Sequence, residues 1–512
     1  MDSRRDFLRT AGGAALLASL GDHAWLRAAH GGTGSCAGST LTTASINAFR
    51  KSIAGELILP ADAAYGSARL VYNRRFSPRP MMVVRAASES DVARTIAFAR
   101  ESGVRLATRS GGHSYIGASG GGGIVLDLRL LNQVAPLGGA RFTVGAGTRL
   151  VRVYGELACN GNWTIPCGSC DSVGFGGIAL GGGFGYLQRT HGLTCDRVRA
   201  IRMIDADGGT RIAAPDGDAD LYWALRGGAG GSFGVATSFE IEAVPLETIH
   251  VMGWRWPLAA ADDALARFHD LIVTDAMPRH TLGAVVFNID TGAATPACLG
   301  LVFSTGSLAE TAAARAQLVG PGGVPAIAGS DFAFDAQSPV CDPVEPRGFE
   351  SYKAKSSIVY APPAPGAGAA VVAGLARRIA DPRFALSEYA SVNFLSLGGA
   401  ASDVAPEATA FPHRAALSEV QYLGYWNGGG TAQAAAKERA NIDWLRGLYA
   451  DVAPRLSLGG AGCYANYADD DLAESEWPSL YFGANYPRLQ AVKQAVDPTD
   501  FFRGLQSVRL PS

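Results

Sequence analysis

The sequence predicts an α+β protein of two domains, and three observations carry that prediction. At 512 residues the chain exceeds one ordinary domain. Its first half alternates short β-branched runs, helical patterns and glycine-rich loops. After about residue 250 the texture changes: glycine motifs give way to ordinary strand patterns and alanine-rich helices, which sets a domain boundary there.

Taken in order, "MMVVRA" (81–86) reads as a strand. Ser88 or Ser90 can cap a helix whose apolar Val92, Ile96 and Ala99 recur at helical spacing. "VRLATRS" (104–110) is the next strand and leads into "RSGGHSYIG" (109–117). "GIVLDLRLLNQV" (123–134) and "RFTVGAGTRL" (141–150) read as further strands, and "TRLVRVYGELACNG" (148–161) as a helix that Thr148 could cap. "VRAIRMIDADGGTRIA" (198–213) is a hairpin turning at Asp207-Gly208. "DADLYWALRGGAGGSFGVATSFEIEAV" (218–244) gives a short helix, a glycine loop and an alternating strand. Residues 355–375, containing "APPAPGAGAA", read as an exposed connection.

Composition narrows the function. Lys and Arg number 44 against 46 Asp and Glu, with no basic stripe, so nucleic acid and anionic membrane are excluded as expected partners. A hydrophobic content of 48% supports large cores. At the N-terminus, Arg4-Arg5 precede Phe7 and Leu8. The apolar run Ala11–Leu20 that follows is too short for a bilayer, which takes about 20 residues. Residues 1–29 read as a twin-arginine signal peptide, so the mature protein is expected to be soluble and exported, periplasmic or extracellular. Eight scattered cysteines allow disulfides in such a chain, but pairings are not legible.

Three glycine-rich segments in one domain point to a phosphate-bearing cofactor, because glycine backbones present N–H groups to anions. No G-x-G-x-x-G opens a helix directly after a strand, and no G-x-x-x-x-G-K-[ST] occurs, which disfavours nicotinamide and nucleoside triphosphate. Cys167-Gly-Ser-Cys170 lacks a second C-x-x-C, which disfavours zinc; a disulfide using Cys167 stays open. Beyond it, Gly174, Gly176, Gly177 and Gly181–Gly183 are costly for any helix, at about 1 kcal/mol each against alanine. They suit a flat ring system with a pyrophosphate tail lying on the backbone.

"RSGGHSYIG", "CDSVGFGGIALGGGFGYLQRTHGL" (170–193), "DLYWALRGGAGGSFGVATSF" (220–239) and "YFGANYPRLQAVKQAVDPTDFF" (481–502) resemble the signature segments of the berberine-bridge-enzyme-like oxidases. That family lies within the vanillyl-alcohol oxidase and p-cresol methylhydroxylase (PCMH) flavoprotein superfamily. The resemblance implies a PCMH-type FAD-binding domain over 45–250, completed by 464–512. It also implies a substrate domain over 251–463, an antiparallel sheet with helices on its outer face. FAD would be bound bicovalently, by His113 at the 8-methyl carbon and Cys170 at C6. Around it would stand Arg109, Ser110, Gly111, Gly112, Ser114, Val173, Gly174, Gly176, Gly177, Gly181, Gly182, Gly183, Gly234, Val235 and Asn485, with no metal.

For substrate chemistry the resemblance points to "FPHRAALSEVQYLGYW" (411–426). There Gln421 stands where some relatives have a glutamate, and Glu419 lies two residues earlier on the same face. "CYANYADDD" (463–471) resembles the segment with the active-site tyrosine, mapped to Tyr464. Phe184 departs from the pattern, standing where many members have a second tyrosine; His191 and His413 read as structural. Val173 resembles the oxygen-permissive residue of the family. The implied activity is oxidation of an alcohol or sugar-like substrate by hydride transfer to flavin N5, with O2 reduced to H2O2. A sugar or oligosaccharide is the first expected substrate, a secondary-metabolite or aromatic alcohol the second. The alternatives are a dehydrogenase using another acceptor and a non-catalytic flavin-binding protein.

Overall fold

The computed structural model describes residues 41–289, 293–320, 326–333, 351–384, 389–426 and 432–512. The expected signal peptide, Cys36 and Cys341 lie outside them. The architecture is α+β in two domains, and the first holds two larger sheets and a two-stranded one. β1 (Glu56–Ile58), β2 (Met82–Arg85), β3 (Leu106–Arg109) and β4 (Ile124–Asp127) form one, in the order β1-β2-β4-β3, with β4 parallel to both neighbours. Between β2 and β3 runs the helix Glu89–Ser102. Ser88 caps it, accepting from the Asp91 N–H at 3.2 Å, and Gly103 ends it at φ +65°.

The next strands are β5 (Val134–Gly138), β6 (Arg141–Gly145), β7 (Trp163–Thr164), β8 (Val198–Ile204), β9 (Thr210–Ala213), β10 (Val235–Glu242) and β11 (Val244–Pro245). β7 and β11 pair with each other; the rest form an antiparallel sheet in the order β5-β6-β10-β8-β9. The helix Leu150–Cys159 buries Leu150, Val153, Tyr154 and Leu157 on one face. Thr148 does not cap it: the N-cap is Arg149, and the Thr148 hydroxyl donates back to the Gly145 carbonyl at 2.7 Å.

The second domain is built on seven strands: β12 (Thr248–Trp256), β13 (Thr281–Ile289), β14 (Ala297–Ser304), β15 (Ala326–Ala333), β16 (Ser351–Val359), β17 (Ala390–Ser396) and β18 (Ser418–Trp426). Their order is β15-β12-β14-β13-β17-β18-β16, antiparallel throughout. Strand alternation sorts the side chains. Trp254, Val285, Phe287, Val392, Phe394, Val420 and Tyr422 pack under the helices Ala261–Val273, Ala367–Ala380 and Ala432–Leu456. Leu282, Ala284, Val286, Leu299, Leu301 and Phe303 face the other way and join the core of the first domain. The sheet is therefore covered by helices on one side and roofs the first domain with the other.

Residues 355–375 are not one exposed connection. Their first part lies in β16, buried along its length, and Ala367–Ala380 is a helix. Lys353 and Lys355 make β16 look like a solvated segment in sequence, but aspartates far along the chain neutralise both inside the protein. The C-terminal helices Trp477–Phe482 and Tyr486–Val496 return to the first domain, placing Trp477, Phe482, Leu489 and Val492 in its core. Fully buried Lys493 fastens this return, bonding Asp497 at 2.6 Å and the carbonyls of Ser232 and Phe502. Among the described residues no helix is long and apolar enough to cross a membrane.

Candidate active site

Two glycine loops meet where the sheets of the first domain converge, and they meet backbone to backbone. A Cβ on Gly111 would lie 2.2 Å from the Gly174 nitrogen; one on Gly174 would lie 2.1 Å from the Gly111 nitrogen and 2.0 Å from Ser110 Oγ. Only glycine permits this contact, since the Gly111 and Gly174 nitrogens are backbone atoms that cannot yield. The loop with His113 is thereby locked to the loop with Cys170. Gly174→Ala is expected to cost about 1–3 kcal/mol, as overpacking does, and to lower the yield of yellow protein. Gly177→Ala, whose Cβ would meet nothing within 4 Å, should leave both unchanged. Thermal unfolding and the visible absorbance of the two purified variants check this.

His113 stacks on Tyr72, ring centroids 3.9 Å apart, and its Nε2 contacts Ser172 Oγ at 2.9 Å. Burial, with Arg149 adding to it, lowers its pKa to about 3, so the imidazole is neutral. Cys170 is solvent-exposed, yet enough protein surrounds the thiol that desolvation raises its pKa, with Asp171 in support. A side chain both reached by water and enclosed by protein lines an indentation. Tyr115, Tyr186, Tyr352 and Tyr467 all stand within electrostatic reach of this thiol. Cys167 is buried and, like the other described cysteines, a free thiol.

The inner face of the seven-stranded sheet supplies the opposite wall. Gln421 on β18 donates to Tyr115 Oη at 2.6 Å, tying the sheet to the histidine loop. Glu419, two residues before it, is 1% exposed, its Oε1 has no hydrogen-bond partner, and desolvation raises its pKa well above the usual carboxylate range. Ser391 Oγ and Asn393 Oδ1 on neighbouring β17 are likewise buried without partners.

The segment 464–471 is pinned on both sides of one residue. Tyr464 is buried, and its hydroxyl accepts from the Gly183 N–H and from Asn466 Nδ2, both at 2.8 Å. Its ring stacks on Phe184 at 4.1 Å. Asp469 is held by Lys353 and Lys355. Between these pins stands Tyr467, partly exposed, stacked on Tyr115 at 5.1 Å and edge-on to Tyr464. Glu419 acts on it electrostatically. Sequence reasoning passed over Tyr467 because "YANY" offers two tyrosines three residues apart, with nothing in the string to choose between them.

The other expected residues are distributed as follows. Ser110 donates to the Ala146 carbonyl at 2.6 Å, and Gly112 adopts φ +78°. Ser114 accepts from the Ala118 N–H in a local turn. Val173 and Gly176 pack beside the helix Leu150–Cys159 and Ala146, and Gly181–Gly183 run beneath Asn466 and Phe411. Arg109 is buried in the fold, bonding Asp127 at 2.9 Å and the carbonyls of Ala68 and Leu70. Val235 begins β10 inside the core, and Gly234 just before it packs against Met203. Asn485 spends its amide on the carbonyls of Pro406 and Thr409. These last four hold the walls of the site. His413 has both ring nitrogens engaged, by Tyr360 and the Cys463 carbonyl, and His191 pairs with Glu247.

The residues fit FAD. Side-chain-free backbone would leave room for a flat ring, and a neutral imidazole and an accessible thiol lie on two loops that contact each other. The carboxylates of Asp469, Asp470 and Asp471 cluster within 4.8 Å, but lysines and arginines already neutralise them.

A family model described as "FAD binding domain" matches residues 80–213, and one described as "Berberine and berberine like" matches 463–509. "Berberine bridge enzyme-like 18" of Arabidopsis thaliana is 30% identical over 499 residues, covering 88% of each chain. "Aclacinomycin-N/aclacinomycin-A oxidase" of Streptomyces galilaeus is 30% identical, covering 86% of this chain and 87% of its own. The solved structure of BBE-like #28 from Arabidopsis thaliana aligns with a TM-score of 0.78 at 26% identity, over 91% of this chain and 99% of that one. With its glycine loops and returning C-terminal segment, this chain belongs to the berberine-bridge-enzyme-like family of FAD-linked oxidoreductases.

Proposed function

We propose that the protein is an exported oxidase whose FAD is attached through both His113 and Cys170, and that it oxidises an alcohol and releases hydrogen peroxide. The observation that supports this is the backbone contact of Gly111 with Gly174, which holds the loop with His113 against the loop with Cys170. With Nε2 of His113 in contact with Ser172, Nδ1 is the nitrogen left for a bond. A neutral imidazole keeps the lone pair that such a bond needs. When bound, FAD supplies the hydride acceptor and passes the electrons on to O2. The twin-arginine leader and the small side chain of Val173 support export and oxygen access, and the oxidase from Streptomyces galilaeus supports the choice of acceptor.

The chain's own task is the proton. Tyr467, not the doubly hydrogen-bonded Tyr464, meets the substrate hydroxyl in this reading. Burial keeps Tyr467 a neutral phenol, so it relays: it accepts the substrate proton as its own moves to Glu419. Burial raises the Glu419 pKa well above the usual carboxylate range, which makes its carboxylate a stronger base than an ordinary one.

Acid precipitation of the purified protein tests the attachment. The yellow colour should stay in the pellet, with flavin mass on the His113 and Cys170 peptides. His113→Ala and Cys170→Ala should each retain it through the remaining bond, and only the double variant should release it. Colour lost from the wild-type pellet overturns the reading.

A further inference from the structure

One buried hydroxyl beside His113 has no work in the oxidation just described. Ser172 is 7% exposed, and its Oγ contacts His113 Nε2 at 2.9 Å with no other partner among the described residues. Its backbone is fixed from behind, since the Ser172 carbonyl stands 2.9 Å from where a Cβ of Gly111 would lie. The imidazole is held on its face as well. It stacks 3.9 Å from Tyr72, whose N–H donates to the Gly112 carbonyl at 3.0 Å. A ring fixed in its plane and at one nitrogen has the other nitrogen aimed in one direction. An acceptor at Nε2 favours the proton there, which leaves the lone pair on Nδ1. Ser172 also acts on the ring through its backbone, in the sense that favours a proton. Bond formation at Nδ1 drives positive charge onto the ring, and burial and Arg149 both oppose that charge. A hydrogen-bond acceptor at Nε2 shares it.

We propose that Ser172 is the positioning residue for flavin attachment at His113: it orients the imidazole, keeps the proton on Nε2 and accepts that hydrogen bond as Nδ1 forms its own bond. The inference rests on the reading of two attachments and gives them different requirements. Attachment joins Nδ1 to the 8-methyl carbon. The methyl gives up one hydrogen and Nε2 the other. The electron pair ends on O2, which takes both protons and leaves as hydrogen peroxide. Cys170 needs no such partner, because a thiol offers one atom and has no tautomer to choose. Ser172 stands only two residues from Cys170 in the chain, so a merely architectural serine would disturb both bonds alike.

The test isolates each bond in the holoenzyme by removing the other nucleophile. Cys170→Ala carries its flavin through His113 alone. In that background Ser172→Ala should lower the acid-stable share of the bound flavin about tenfold or more, the rate factor of one hydrogen bond to a group that becomes charged. Ser172→Thr keeps the hydroxyl and should restore the share. His113→Ala carries its flavin through Cys170 alone, and there Ser172→Ala should leave the share unchanged. Visible absorbance before acid counts the flavin bound by each folded variant, and peptide mass mapping of the pellet locates it. The inference is overturned if Ser172→Ala keeps the acid-stable colour in the Cys170→Ala background, or if Ser172→Thr fails to restore it. It is also overturned if the Cys170 bond is lost to the same degree, or if Ser172→Ala prevents flavin binding before acid, since both mark an architectural serine. Colour lost from either single nucleophile variant with Ser172 intact overturns the inference and the reading together. The reading of two attachments fails by itself on loss of colour from the wild-type pellet.

Discussion

Tyr467→Phe should slow substrate-dependent bleaching of the flavin by about 10²–10⁴-fold, the usual range for loss of a proton-transfer group. Its unfolding temperature should barely move, because Tyr467 is partly exposed and its ring contacts survive. Tyr464→Phe should behave in the opposite sense. Its hydroxyl accepts from Gly183 and Asn466, and removing it leaves two buried donors unpaired at a cost of about 1–3 kcal/mol. Rapid-mixing reduction and thermal unfolding of the two variants separate the roles. If Tyr464→Phe loses the chemistry and Tyr467→Phe keeps it, the assignment is reversed. Glu419 provides the pH signature. Its raised pKa makes the carboxylate scarce at low pH, so the reduction rate should climb as pH rises through that value and flatten above it. Glu419→Gln should abolish the climb.

Asp469→Ala should destabilise the protein by about 3–5 kcal/mol, the cost of breaking a buried ion pair from one side. Asp469 accepts from Lys353 and, at 2.6 Å, from Lys355; both ammoniums are buried and would lose a counter-ion. The cluster extends further: Arg75 of the first domain reaches Asp470 at 2.7 Å, and Arg446 of the long helix reaches Asp471 at 2.5 Å. Burial opposes ionisation of Asp470, yet Lys353 and Arg75 outweigh it and hold its pKa at about 2. Asp471 is likewise held well below the usual range. Folded-state values below the unfolded ones mean that this stability is fully present above about pH 4. It is lost as pH falls toward 2, and denaturant titrations across that window should show the decline in the wild type. Asp470→Asn should make it shallower, with Asp471 keeping the remainder.

Much of this molecule was legible in its sequence, for identifiable reasons. The helix after Ser88 and the hairpin at Asp207-Gly208 are set by local signals: a cap, a glycine at φ +83°, and a period of apolar residues. The two glycine loops were legible because glycine at such density has few other uses. What escaped was decided by residues distant in the chain. Thr148 has the chemistry of a cap, but its hydroxyl finds Gly145 first. β16 carries two lysines and reads as surface until Asp469 and Asp471 arrive from more than a hundred residues away. Tyr464 and Tyr467 differ only in what surrounds them, and no local pattern encodes that. Ser391 and Asn393 are ordinary polar residues in an alternating strand, and only the sheet register shows that Asn393 stands opposite Gln421.

The C-terminal return has a consequence for the order in which the chain matures. Synthesis proceeds from the N-terminus, yet the hydrophobic core of the first domain includes Trp477, Phe482, Leu489, Val492 and Val508. Until residues 477–508 leave the ribosome, that core lacks a wall and Lys493 has not reached Asp497 or the Ser232 carbonyl. The seven-stranded sheet and its covering helices are complete by Leu456. The domain made second is thus the one able to close first. The domain made first must wait for residues 477–508 before its core is closed, so its grip on a cofactor depends on a segment made after the whole second domain.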